Sequence, residues 1–156
     1  MSEQASAHGP RVVVGVDGEA PSRLALEWAA HEASLRGARL EVVYAMYFRR
    51  ELLDVFDDAS THEQAVLDAE VARARSLEPS LAVVGIAADP PATRALIDAS
   101  EGADLLVVGS RGLGSFEEFA LGSVSHECSH RSPCPLVIVR PEGTEQISHP
   151  RGAHAS

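Results

Sequence analysis

The chain alternates between short apolar runs and longer stretches in which apolar residues recur at helical spacing. Five apolar runs predict strands, at residues 11–17, 40–45, 81–87, 105–109 and 136–139. The first run is nearly continuous and rich in valine, which is typical of a strand buried on both faces of a parallel sheet. The β-α-β-α-β-α-β-α-β order predicts an α/β fold with right-handed crossovers and helices on both faces of the sheet.

The helical stretches carry patterns of their own. Leu24, Trp28 and Leu35 share one face of the first predicted helix, and Gly37 is suited to end it. The second predicted helix covers residues 61–77. Its solvated side is predicted to include two glutamates and two arginines, Glu63, Glu70, Arg73 and Arg75.

A third helix is predicted to open at Pro90 and Pro91, because proline is tolerated in a first helical turn. Its candidates for packing against the sheet are Leu96, Ile97 and Ala99. A last helix is predicted between the fourth and fifth strands, where Gly122 and Ser123 open it.

Length and composition narrow the class of protein. A chain of 156 residues fits one domain, which we predict to cover residues 11–140 between a flexible N-terminus at 1–10 and a disordered tail at 141–156. No apolar run approaches the roughly 20 residues that span a bilayer. The first residues also lack a secretory pattern. The sequence therefore predicts a cytoplasmic protein without membrane contact.

Charge and residue usage exclude several functions. The net charge of −10 argues against a nucleic-acid partner, because binding to the phosphate backbone requires clustered positive charge. All 13 basic residues are arginine, so neither a Walker-type lysine nor a Schiff base is available. The two cysteines, Cys128 and Cys134, are too few for a disulfide framework and suit a reducing cytoplasm.

The strongest functional pattern runs from Gly109 to Ser123, directly after the fourth apolar run. Gly109 and Gly112 lie where a strand ends, and the absence of side chains there lets backbone N–H groups approach an anion. Gly122 and Ser123 open a helix whose free N–H groups favour phosphate. Each half taken alone is also compatible with an ordinary turn and a helix N-cap.

Taken together, the two halves form G-x-x-G, nine residues, then G-S, which resembles the ATP-binding pattern of the universal stress protein family. The resemblance extends from residue 11 to residue 140. It includes Val-Gly-Val-Asp17 in the first strand, Asp104-Leu-Leu-Val-Val-Gly-Ser-Arg-Gly112 around the fourth, and Cys134-Pro-Leu-Val-Ile-Val-Arg140 at the fifth.

The resemblance implies an open five-stranded parallel sheet of order 3-2-1-4-5, a Rossmann-like fold of the adenine nucleotide alpha hydrolase type. It also implies a homodimer and the binding of ATP, or of ADP or AMP, with Mg²⁺ as a further candidate. In such a sheet ligands bind beyond the carboxyl ends of the strands, where the winding direction reverses. That point lies between the first strand, which ends at Asp17, and the fourth, which ends at Gly109.

The resemblance also implies a role for each site residue. Asp17 would accept hydrogen bonds from the ribose, Gly15 and Ala45 would line the adenine slot, and Val108 would close it. The phosphates would meet Gly109, Arg111, Gly112, Gly122, Ser123, Val124 and Ser125. The other loop residues expected at the nucleotide are Ser110, Leu113, Gly114 and Ser115. For Asp17 the alternative is a turn-shaping aspartate, and for Arg111 it is a solvated arginine.

Two further features depart from a plain nucleotide site. Glu117 and Glu118 place negative charge in the loop, which would weaken triphosphate binding if it faced the phosphates and would change little if it faced solvent or held Mg²⁺ through water. His126 and His130 stand one helical turn apart with Cys128 between them, but a closed zinc site usually requires four ligands at set spacing. The sequence therefore predicts no metal site, and no spacing indicates a catalytic group.

These observations favour a nucleotide-binding regulatory protein of the stress response. It would act as a homodimer paired through its last strand, and its protein partners are unknown. An alternative is a slow ATPase or another nucleotide-dependent enzyme, since related α/β folds host such activities. A second alternative is a nucleotide-free interaction module, against which the intact glycine pattern argues.

Overall fold

The computed structural model of the chain describes residues 9–45, 57–110 and 123–141, in which strands and helices alternate as predicted. The strands are β1 (Arg11–Val16), β2 (Arg39–Ala45), β3 (Val83–Ala88), β4 (Leu105–Gly109) and β5 (Leu136–Val139). The helices are α1 (Ala20–Arg36), α2 (Asp57–Leu77), α3 (Ala92–Ala99) and α4 (Ser123–Arg131). None of the helices among these residues is long and apolar enough to cross a membrane.

The strands form one parallel sheet in the order β3-β2-β1-β4-β5. This order and the helices on both faces confirm the predicted fold. The predicted boundaries differ from the observed ones by a few residues. The third strand begins at Val83 rather than residue 81, because the Leu81 N–H donates to the Glu78 carbonyl in a turn that follows α2.

The central strand β1 is buried on both sides, as its valine run predicts. Val12 and Val14 belong to a core that the sheet shares with α1 and α2, whereas Val13 belongs to a second core shared with α3 and α4. All three valines are fully buried, and each such side chain contributes about 1.5–3 kcal/mol to stability. The strand therefore anchors both layers of helices.

The packing face of α1 differs from the prediction. Leu24, Trp28 and Leu35 are all partly or largely exposed. The buried face consists of small residues and one leucine: Ala25, Leu26, Ala29, Ala30 and Ala33. Alanine lets the helix axis approach the sheet closely, so the larger apolar residues are left on the outside. The predicted end of α1 is confirmed at Gly37, whose φ of 65° is left-handed and whose N–H bonds to carbonyls of the last turn.

The solvated side predicted for α2 is also wrong in part. Glu63 and Glu70 are almost completely buried. Arg75 donates a hydrogen bond to the Val83 carbonyl and so ties α2 to β3. Gly85 of β3 lies directly under α2, where an added Cβ would come within 2.8 Å of Val71.

On the other face, α3 and α4 contribute Ala95, Leu96 and Cys128 to the second core. Of the predicted packing residues of α3, Leu96 is buried, and Ile97 and Ala99 are half-buried. The helix begins at Ala92, one residue after Pro91, which occupies the N-cap.

The amino end of the sheet is held by Arg11. Its guanidinium pairs with Glu41 at 2.8 Å and donates to the carbonyls of Ala99 and Glu101, where α3 ends. The Arg11 N–H donates to the carboxylate of Asp104, just before β4. One side chain thus joins β1, β2 and the end of α3.

Candidate functional site

A break between β1 and β4 opens the carboxyl end of the sheet. The paired residues of β1 and β4 end at Val14 and Val107. By contrast, β1 stays paired with β2 as far as Val16, and β4 stays paired with β5 as far as Gly109. The two central strands therefore separate at the point where the winding direction reverses, which is where open α/β sheets bind ligands.

On the β1 side of this break, Asp17 begins a tightly bonded turn. Its Oδ1 accepts the Glu19 N–H at 2.8 Å, and its own N–H donates to the Ser22 hydroxyl at 3.1 Å. Gly18 has a φ of 82°, and an added Cβ there would lie 2.9 Å from Val66 of α2. Asp17 therefore shapes this turn. Its second carboxylate oxygen has no hydrogen-bond partner among the described residues.

The floor of the break is apolar. Ala45, at the end of β2, and Val108 of β4 are both buried in the second core, as an adenine slot requires. Gly15 contributes differently, because an added Cβ at residue 15 would come within 2.9 Å of both terminal methyl groups of Leu96. Leu96 therefore packs over the backbone of Gly15 and forms part of the same floor.

On the β4 side, Ser110 links three elements. Its N–H donates to the Val139 carbonyl of β5 at 2.9 Å, and its carbonyl accepts the hydroxyl of Ser125 in α4 at 3.2 Å. Its own hydroxyl is buried and has no hydrogen-bond partner in the part of the chain that the structure describes. A buried hydroxyl without a partner is unfavourable, so a ligand or water at this point would stabilise it.

The first turn of α4 contains Ser123, Val124 and Ser125, and Val124 packs against the second core. The turn lies close to Ser110, because the Ser125 hydroxyl donates to the Ser110 carbonyl. The remaining predicted site residues lie outside the described residues: Arg111, Gly112, Leu113, Gly114, Ser115 and Gly122. Glu117 and Glu118 lie outside them as well.

A buried carboxylate stands beside the Asp17 turn. Burial raises the pKa of Glu70 above its usual value, the charge of Asp17 raises it further, and Arg23 and Arg73 oppose the shift. Arg23 approaches Glu70 at 4.0 Å and donates to the Gly18 carbonyl at 3.3 Å. These contacts were missed because alternating Glu and Arg on a helix resemble a solvated face.

Other residues near the site were missed as well. Leu96 was expected to pack against the sheet but not to underlie the site. The one signal for it is Gly15, a glycine within a valine run that marks a close approach. Val66 of α2 contacts the Asp17 turn. The sequence signal for this contact is Gly18, where the absence of a side chain leaves room for Val66.

The two histidines of α4 lie close together on the surface of the helix. The rings of His126 and His130 are 4.9 Å apart and exposed, whereas Cys128 is buried in the second core. No three His, Cys, Asp or Glu residues among those described are close enough together to hold a metal ion. Burial raises the pKa of Cys128 to about 11, so this thiol is unreactive at neutral pH.

A groove of about 610 Å³ lies away from the predicted site, between α3 and residues of β2 and β3. Its lining contains acidic, basic and small apolar side chains, including Glu41, Ile86, Asp89, Arg94 and Asp98. None of the residues predicted to bind nucleotide lines it. The groove is therefore separate from the break between β1 and β4.

Comparison with known proteins agrees with this architecture. The model of the universal stress protein family matches residues 10–140. YxiE, a universal stress protein of Bacillus subtilis, is 31% identical over 146 residues, which cover 83% of this chain and 98% of the relative. A universal stress protein of Mycolicibacterium smegmatis is 30% identical over 96% of this chain and 53% of its own length.

The chain thus spans about half the length of the mycobacterial relative, and 46% of the Mycobacterium tuberculosis protein Rv2005c, to which it is 33% identical. Among solved structures, a universal stress protein in complex with cAMP is similar with a TM-score of 0.67 and 28% identity, over 84% of this chain and 96% of that one. The Archaeoglobus fulgidus protein in complex with dAMP gives 0.68 at 20% identity, over 85% and 98%.

Proposed function

This chain belongs to the universal stress protein family, and from that premise we propose that it binds an adenine nucleotide at the break between β1 and β4. The observation that carries the proposal is the separation of the two strands beyond Val14 and Val107. Asp17 stands on one side of the break and the buried Ser110 hydroxyl on the other. The solved relative in complex with cAMP supports an adenine nucleotide as the ligand class.

The three parts of a nucleotide fit three parts of the site. The base would lie on the apolar floor of Ala45 and Val108, and the ribose hydroxyls would donate to Asp17. The phosphates would meet the first turn of α4, whose N–H groups and positive dipole end favour anions. The glycine pattern from Gly109 to Ser123 supports ATP, with ADP or AMP as related ligands.

Nucleotide retained from the cell provides the first test. Native mass spectrometry of freshly purified protein, compared with an acid-released sample, should show one adenine nucleotide per chain. Calorimetry with ATP, ADP, AMP and cAMP then ranks the ligands. Protein that neither retains nor binds any of the four would favour the nucleotide-free interaction module.

The glycine loop is tested by Gly112→Val. If the backbone at residue 112 approaches phosphate, a valine there should abolish ATP binding while the circular dichroism spectrum is unchanged. Unchanged ATP affinity in a folded variant would remove this loop from the site. A loss of ATP affinity with AMP affinity retained would assign the loop to the outer phosphates.

We further propose binding without fast turnover, so that ATP occupancy alters the protein surface rather than driving chemistry. Phosphoryl transfer requires strong positive charge at the γ-phosphate, and this chain has no lysine. Hydrolysis should be slower than about one turnover per minute, against a typical enzyme rate of about 10 per second. Phosphate release with excess Mg-ATP, and with Gly112→Val as background, would reveal an ATPase if turnover were faster.

The proposed assembly is a homodimer through β5. Leu136–Val139 is an edge strand paired only with β4 among the described strands, and all four residues are half-buried. An apolar edge favours pairing with a second copy about a two-fold axis. Light scattering at micromolar concentration should give the mass of a dimer, and a monomer with and without ATP would contradict the proposal.

A further inference from the structure

A chain of contacts connects α2 to the turn that carries Asp17. The Arg23 guanidinium lies between the Gly18 carbonyl, at 3.3 Å, and the Glu70 carboxylate, at 4.0 Å. Val66 of α2 occupies the space where a side chain at Gly18 would lie. The helix therefore reaches the turn through both an apolar and a charged contact.

The charges in this cluster are unequal in exposure. The side chain of Glu70 is 4% exposed, whereas that of Arg23 is 48% exposed. One oxygen of Glu70, Oε1, is buried without a hydrogen-bond partner among the described residues. A carboxylate is kept buried in this way only at a free-energy penalty, which indicates that its position serves something other than stability.

Arg23 lies near a second carboxylate, because the Gly18 carbonyl to which it donates directly follows Asp17. Glu70 is its ion-pair partner, and the next is Asp17, whose charge also acts on Glu70. If Arg23 turned to Asp17, its N–H groups would occupy the oxygens that ribose hydroxyls need. A pair between Arg23 and Asp17 would compete with the ribose hydrogen bonds, because both its donor and its acceptor carry charge.

We propose that Glu70 is a positioning residue for the nucleotide site: it holds Arg23 on the Gly18 carbonyl and so leaves the Asp17 carboxylate available to the ribose. This inference rests on the proposed function. The charged groups that face Glu70 are Arg23 of α1, Arg73 of its own helix and Asp17 at the end of β1. Arg73 is itself engaged with Glu27 of α1, which leaves Arg23 as the cation that can turn to Asp17.

The arrangement is sensitive to pH. Protonation of Glu70 removes the ion pair with Arg23 but leaves the arginine charged, so Arg23 turns toward Asp17. Because burial raises the pKa of Glu70, this protonation begins at a higher pH than for an ordinary glutamate. Nucleotide affinity is therefore expected to fall as the pH is lowered through the pKa of Glu70.

A double-mutant cycle tests the role of Arg23. Calorimetry with ATP at pH 7 should show that Glu70→Gln weakens affinity roughly five- to tenfold, a coupling typical of contacting charged residues. In an Arg23→Gln background the same substitution should change affinity less than about twofold. Equal losses in both backgrounds, or no loss in either, would overturn the proposal. Glu32→Gln is the control, since it removes an exposed arginine pair within α1 that does not involve Glu70 and should leave affinity unchanged.

A measurement on the ligand-free protein separates this inference from the proposed function. The Glu19 amide donates to Asp17 Oδ1, so its ¹⁵N and ¹H shifts report the state of the turn. Between pH 4 and 8 the wild-type amide should show a titration step that Glu70→Gln lacks. If wild type binds no nucleotide, the proposed function fails while this titration still decides the coupling. Identical titration curves in the two proteins would refute the coupling even if ATP binds.

Discussion

The two ends of the sheet differ in whether their polar groups have hydrogen-bond partners. At the amino end, Arg11 bonds to Glu41, to two carbonyls at the end of α3, and through its N–H to Asp104. At the carboxyl end, the strands separate, and both the Ser110 hydroxyl and Glu70 Oε1 are buried without partners among the described residues. These polar groups at the amino end are therefore hydrogen-bonded within the protein, whereas the two named at the carboxyl end have no partner among the described residues.

This contrast indicates where stability and binding reside. A satisfied polar network in a half-buried setting rigidifies the fold, since each of its members is already bonded. Unsatisfied groups destabilise the fold and persist where a ligand completes them. Substitutions at the amino end should therefore affect folding alone, and substitutions at the carboxyl end should affect binding first.

The largest expected effect is at the amino end. Arg11→Met leaves the buried Glu41 with Arg39 as its remaining partner and two α3 carbonyls unbonded. Unfolding in urea should show a loss of about 3 kcal/mol. Arg36→Met is the control, because the exposed pair with Glu32 should contribute less than about 0.5 kcal/mol.

Nucleotide affinity of the folded Arg11→Met protein should equal that of wild type, since the substitution lies at the other end of the sheet. A stability loss no larger than that of Arg36→Met would contradict the structural role of Arg11. Weakened nucleotide binding in the folded variant would show that the amino end contributes to binding as well as to stability.

The next effect is at the carboxyl end and concerns binding. Asp17→Asn keeps the oxygen that accepts the Glu19 N–H but removes the charge that would strengthen hydrogen bonds from ribose. Affinity for ATP by calorimetry should fall about tenfold or more, while unfolding free energy changes by less than about 1 kcal/mol. Asp98→Asn, at an exposed carboxylate of α3, should change neither quantity.

A loss of stability with unchanged affinity in Asp17→Asn would assign the residue to the turn alone. That outcome would favour the structural alternative raised by the sequence.

Two buried serines sharpen the comparison further. The Ser100 hydroxyl, at the end of α3, donates to the Ile97 carbonyl, whereas the Ser110 hydroxyl has no partner among the described residues. Ser100→Ala should lose about 1 kcal/mol in urea unfolding, and Ser110→Ala should lose nothing or gain up to about 1 kcal/mol. If Ser110 contacts the ligand, only Ser110→Ala should weaken ATP binding. Equal stability losses would show that the Ser110 hydroxyl is satisfied.

Much of the fold could be predicted from the sequence because the signals are local. Continuous valine runs mark buried parallel strands, and Gly37 ends α1 where its left-handed φ is needed. The packing face of α1 could not be found by looking for large apolar residues, since Trp28 is exposed and Ala29 is buried. How closely a helix approaches a sheet depends on the sheet, which local periodicity does not contain.

The candidate site likewise has one part that could be predicted from the sequence and one part that could not. The glycines, Asp17 and Ser110 stand at strand ends that the sequence locates, so their convergence could be predicted. The contacts of Arg23 with Glu70 and with the Gly18 carbonyl could not be predicted, because they join α1, α2 and the end of β1 across 47 residues of sequence. A glutamate three residues from an arginine on a solvated helix face has the same sequence pattern as Glu70, which is buried near Arg73.

The smallest effect tests whether the carboxyl end carries a stability penalty, through the pH dependence of folding. Because the folded-state pKa of Glu70 is raised above the model-compound value of 4.5, the native state binds more protons than the unfolded chain between those two values. The contribution of Glu70 to stability therefore falls as pH rises through that window and is constant above it. Glu70→Gln lacks this dependence, so its stability should equal that of wild type below pH 4.5 and exceed it at pH 7, by less than about 1 kcal/mol. Urea unfolding of both proteins from pH 4 to 8 measures the difference. A Glu70→Gln protein less stable than wild type at pH 7 would mean that the ion pair with Arg23 outweighs desolvation, and that Glu70 stabilises the fold.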